Sequence, residues 1–134
     1  MIVLGEEIRL TIRDDGNILT ARLKAKNMAQ KIGFNHIDQT RISTAVSEIA
    51  RNVVQHADHG EMVIRHVEDP EGIEVTVVDK GPGIEDVERA LRGGYSTKNC
   101  LGLGLSGAKR LMDEFSIETE VGKGTKIVMK KWIR

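Results

Sequence analysis

A chain of 134 residues is the length of one compact domain and, by size scaling, buries roughly two thirds of its unfolded-state surface. Apolar residues make up 40%, enough for one core, and twenty basic residues balance twenty acidic ones, so charge gives no sign of a nucleic-acid or membrane partner. The lone Cys100 excludes an internal disulfide, the N-terminus MIVLGEEIRL has no long apolar stretch, and the expectation is a soluble, cytoplasmic protein.

In chain order, EEIRLTI over residues 6–12 alternates polar and apolar, which predicts a half-buried strand. After the turn RDDGN, the residues Ile18, Ala21, Leu23, Ala25, Met28, Ala29 and Ile32 predict an amphipathic helix closed by Gly33. A second helix over about 36–57 carries Ile42, Val46, Ile49 and Val53 as one buried stripe. Runs 61–67 and 73–78, joined by EDPEG, read as a hairpin that stops at VVDKGPGI. A short helix around 85–92 and a glycine-rich loop over 93–102 follow, then a helix over 104–114. The chain closes with strands 115–121 and 125–132 about the turn GKG. No repeat or linker interrupts the order, so residues 1–134 are read as one domain. The pattern predicts an α/β (α+β) two-layer sandwich, one mixed sheet with helices over one face.

Four short stretches carry candidate chemistry. On the second helix Glu48, Asn52 and His56 fall four residues apart, opposite the apolar stripe, with Arg51 and Gln55 beside them. Asparagine is a mediocre helix former, and its carbonyl oxygen suits Mg²⁺, while a neighbouring glutamate can take a proton from an attacking hydroxyl. A solvated face with an ion pair explains the same pattern. Asp79, ending a strand before Gly81 and Gly83, can accept from an exocyclic amine where backbone passes close to a flat ring; an Asp-capped tight turn reads equally well. In NCLGLGLSG, Gly102, Gly104 and Gly107 open a helix whose free N–H groups and dipole suit an anion. No GK[ST] follows, so this is not a P-loop. Lys98 in the flanking GGYSTKN can reach a phosphate as a point charge, and the segment has the composition of a lid. Thr125 of GKGT comes near Asp79 if its strand runs beside strand 73–78. His56, His59 and His66 have no cysteine partner nearby and do not read as a zinc site.

Each stretch alone is weak, but SEIARN, DKGPG, GLGLSG and GKGT in this order resemble the N box, the two glycine boxes and the closing Gly-Thr of the GHKL superfamily. That resemblance covers nearly the whole chain and implies a Bergerat-type fold holding ATP between helices and a flexible lid. It implies that Asn52 holds Mg²⁺, that Asp79 binds the adenine amino group, and that Gly81 and Gly83 line the adenine pocket. Gly102, Leu103 and Gly104 would cradle phosphate, and Thr125 would support the adenine contact. More narrowly, ISTAVSEIARNVVQHA, GYST and LMDEFSIETEVGKGTKI resemble the small serine/threonine kinases of bacterial partner-switching systems, above all the stressosome switch kinases of the RsbT type. That likeness implies Glu48 as catalytic base and STAS-domain substrates of the RsbS and RsbR types. It also implies an RsbU-type phosphatase activated on release. Anti-sigma factors of the RsbW type share the four motifs and are the alternative. A histidine-kinase reading lacks its dimerisation helix, and a gyrase- or MutL-like ATPase would need a second, transducer domain.

Overall fold

The computed structural model describes residues 6–68, 70–83 and 101–133, with side chains from residue 104 onward in the last segment. Strand β1 (Glu7–Ile12) leads into helices α1 (Asp15–Ile32) and α2 (His36–His56). Strands β2 (Gly60–Val67) and β3 (Gly72–Asp79), helix α3 (Leu101–Leu111), and strands β4 (Glu114–Glu120) and β5 (Gly124–Trp132) complete the order. The helix ends follow from local chemistry. Asp14 caps α1 by accepting from the Asn17 N–H while the Asn17 side chain accepts from the Asp14 N–H, a reciprocal box. Asn35 caps α2 by accepting from the Asp38 N–H at 2.8 Å.

The five strands form one sheet in the order β1-β2-β3-β5-β4, and every pairing is antiparallel. The two-layer sandwich is thus as expected, but the sheet is not mixed. The segment between β3 and β4 does carry the chain across so that both strands run the same way. The β4–β5 hairpin, however, inserts β5 between them, and no parallel neighbours meet.

Alternation sorts the sheet into two faces. The inner one carries Leu10, Met62, Ile64, Ile73, Val75, Val77, Ile127 and Met129, packed against Ala21, Ala25, Met28, Ile42, Val46, Ile49 and Val53 of the helices. Truncating any of the large buried members costs about 2–5 kcal/mol. The outer face is a polar ladder in which Glu74 meets Arg65 at 3.3 Å and Lys130 at 3.7 Å. The α1 stripe is narrower than expected: Leu23 is half exposed beside Leu19, because 100° steps carry it away from Ala21 and Ala25. No helix among the described residues is long and apolar enough to cross a membrane. The expected short helix at 85–92 lies outside the described residues.

Candidate active site

The inner face of the sheet changes character at one end. Moving outward, the apolar rung Val77–Ile127–Ile117 is followed by the polar rung Asp79–Thr125–Thr119, set by the β3–β5 and β4–β5 registers. Strand alternation places all six on the same side. Thr125 therefore stands opposite Asp79, as the strand order required. One Asp79 oxygen, Oδ1, accepts from the Gly81 N–H at 2.9 Å, which fixes the carboxylate at the strand end.

Helix α2 passes over this rung. Its buried stripe continues as Ile49 and Val53, and the flank of that stripe brings Asn52 and His56 to the same opening. The result is a narrow cleft between α2 and the sheet, open to solvent. Val77, Ile127, Leu105 and Pro82 give it apolar walls, and Asn52, His56, Asp79 and Thr125 supply its polar groups. A flat apolar slot with few polar groups at its rim suits a planar heterocycle.

Helix α3 closes the cleft from the other side, and Gly104 is where it touches α2. A Cβ at Gly104 would lie 3.2 Å from Asn52 Nδ2 and 3.3 Å from Glu48 Oε2. Glycine here lets the two helices approach until the Asn52 amide and the Glu48 carboxylate lie against α3 backbone. Helical geometry runs from Leu101, so Gly102, Leu103 and Gly104 fall within the first turn of α3 rather than ahead of it. Glu48 is about one third exposed, and its Oε1 accepts from Arg51 at 3.0 Å. Asn52 Nδ2 is buried and, among the described residues, has no hydrogen-bond partner. An unmet buried N–H costs about 1–3 kcal/mol, which marks this end of Asn52 as a candidate contact for a bound group. Because an amide flips end for end, the position can offer either a donor or an oxygen ligand.

The loop after β3 is locked to the β4–β5 hairpin. Gly122 N–H donates to Pro82 O at 2.8 Å. Gly83 (φ +78°) and Gly124 (φ +122°) sit in the left-handed half of backbone space, where a side chain would strike the Glu120 and Asp79 carbonyls respectively. Gly83 lines the cleft; Gly81 stands one step back, packed where a Cβ would lie 2.8 Å from that of Ala57 at the end of α2. Its lack of a side chain serves the α2 contact. Lys98 and the rest of the expected lid lie outside the described residues. Two further residues belong here: His56, which lines the cleft two turns after Glu48, and Thr119, which stands behind Thr125 and is signalled in the sequence only by its period-2 placement across the GKG turn.

Residues 11–131 match the family model of the histidine kinase-like ATPase domain. The chain belongs to that family. Within it, the chain is 41% identical, over 98% of its length and all of the relative's, to the serine/threonine-protein kinase RsbT of Bacillus subtilis. That places it with the serine/threonine kinases of the family and bears out the kinase, ATP-using reading drawn from the order of the motifs. The anti-sigma F factor of Clostridium acetobutylicum is 32% identical over 83% of this chain and 82% of its own. Among solved structures, the RsbU and RsbW domains of a Mycobacterium tuberculosis protein superpose with a TM-score of 0.68 at 20% identity. That match covers 95% of this chain and 32% of the longer one, and supports the fold.

Proposed function

We propose that this chain transfers the γ-phosphoryl group of ATP to a serine or threonine hydroxyl of a STAS-domain partner in a bacterial stress-response switch. On release from that partner it activates an RsbU-type phosphatase. The observation that carries the reading is the convergence of Asn52, Asp79 and Thr125 on one cleft from three separate elements, with Glu48 one helical turn before Asn52 and against the same Gly104. The donor set fits the nucleotide. The apolar slot holds the base, Asp79 takes its amino group, and Thr125 supports that contact. The N-terminal turn of α3, with Gly102, Leu103 and Gly104, faces the phosphates with N–H groups, and Lys98 adds a cation. Asn52, with its unmet buried amide, serves as the protein's Mg²⁺ ligand.

Bound Mg·ATP supplies the phosphoryl group with its oxygens partly neutralised. The chain contributes position and a base. Glu48 accepts the acceptor hydroxyl's proton as its oxygen bonds to the γ-phosphorus and the bond to the ADP oxygen breaks. Arg51 holds Glu48 in place through Oε1 and leaves Oε2 for that proton. No membrane or nucleic-acid contact is needed, and the setting is the cytoplasm. Incubating the protein with ATP, Mg²⁺ and an RsbS- or RsbR-like STAS protein should produce phosphoserine or phosphothreonine on the partner. Absence of transfer to a folded partner would sink the reading. The similarity to anti-sigma factors favours a second reading, capture of a sigma factor with STAS phosphorylation as its release. Affinity isolation discriminates the two: a sigma factor supports the second, a stressosome core the first.

A further inference from the structure

One hydrogen-bond chain that ends on the cleft wall at Thr125 has a direction fixed by its other end. Thr119 Oγ1 lies 3.0 Å from the Gly124 carbonyl oxygen and 2.9 Å from Thr125 Oγ1. A carbonyl only accepts, so the single Thr119 hydroxyl proton is directed at Gly124 O. The bond between the two threonines must then use the proton of Thr125. With that proton turned toward β4, Thr125 presents lone pairs alone to the cleft it lines. Its opposite number on the rung, Asp79, is an acceptor-only carboxylate when ionised. The polar rim at this end of the cleft therefore offers acceptors and no hydroxyl donor.

We infer that Thr119 is a positioning residue for base selection: by holding the Thr125 proton it makes the rim accept from a ring amino group and reject a ring carbonyl at the same place. This rests on the reading of the cleft as an adenine site. The discrimination is at C6, where a 6-oxo purine sets an acceptor against two acceptors and only its N1–H remains to donate to the rim. Thr119 does not touch the base in this scheme. It acts through Thr125, from the edge strand of the sheet.

The test measures ADP and IDP affinity, with Mg²⁺, for the intact wild-type chain and for Thr119→Val and Thr119→Ser. Wild type should favour ADP. Thr119→Val frees the Thr125 proton to donate toward a C6 oxygen, so IDP should bind more tightly and the ADP-to-IDP affinity ratio should fall at least about tenfold, the scale of one satisfied hydrogen bond. Thr119→Ser keeps the hydroxyl and should keep the wild-type ratio. Loss of β4 packing alone would weaken both nucleotides together and leave the ratio unchanged, and that result overturns the inference while the adenine reading stands. A wild type that binds ADP and IDP equally overturns both. If the valine variant does not fold, Thr119→Ala removes the same acceptor and is read in the same way.

Discussion

Glu48 and Asn52 stand one helical turn apart on α2 and share a neighbour in Gly104, yet they are assigned separable tasks. Asn52→Ala removes the oxygen ligand and should abolish Mg·ATP binding in a titration. Glu48→Gln keeps shape and hydrogen-bonding reach but not the basic oxygen. It should bind nucleotide normally and slow transfer by about 10²–10⁴-fold, the usual worth of a general base. Equal losses of binding in both variants would contradict the division. Gly104→Ala tests the helix contact with two readouts of opposite sign. Alanine inside a helix adds about 0.5–1 kcal/mol of helix stability over glycine. Here its methyl must push back the Asn52 amide and the Glu48 carboxylate by a few tenths of an ångström, which their flexible ends allow. The variant should therefore keep its thermal midpoint and lose nucleotide affinity. A large loss of stability with affinity intact would show that Gly104 serves packing alone.

The β4–β5 hairpin and the loop after β3 form one unit at the level of elements, and Gly124 is its hinge point. Its φ of +122° and the Asp79 carbonyl against its missing Cβ make two demands that no other residue meets. Gly124→Ala should destabilise the fold by about 2 kcal/mol or more, seen as a lower urea midpoint with an unchanged slope. A neutral effect would mean that the hairpin moves freely away from Asp79. The same elements show what the sequence could convey. Alternation over 61–67 and 73–78, and the period of Ile42, Val46, Ile49 and Val53, predicted both element type and buried face, since each reports burial directly. Neighbour relations in the sheet are a different matter. Alternation is indifferent to strand direction, so it is compatible with a mixed sheet, whereas β5 in fact separates β3 from β4. Glycine propensity alone puts the start of α3 at residue 104, three residues late, because it carries nothing of the α2 contact that Gly104 makes. The pairing of Asp79 with Thr125 was recoverable from the motif order, whereas the Thr119–Thr125 chain depends on a register that only the folded hairpin fixes.

Across the whole molecule, one apolar core runs from β1 to β5, and the cleft is its open end, so on the proposed function folding and nucleotide binding would draw on the same contacts. Ile49, Val53, Val77 and Ile127 each serve as core on one side and cleft wall on the other. At the opposite end, Lys131 is 7% exposed and donates to the Leu111 carbonyl at 2.9 Å, tying the end of α3 to β5 near Asp38 and Asp113. With both ends of α3 anchored to the rest of the molecule, residues 1–134 should unfold as a single domain in one calorimetric transition, with van't Hoff and measured enthalpies equal. Nucleotide binds the folded chain alone, so Mg·ADP at about 100 times its Kd should add about 2.7 kcal/mol to that transition. Asn52→Ala should remove the added stability without lowering the stability of the nucleotide-free chain, because the buried Nδ2 it deletes has no hydrogen-bond partner among the described residues. Two separate transitions, with only one of them raised by Mg·ADP, would show instead that the cleft belongs to a unit that opens independently of the core.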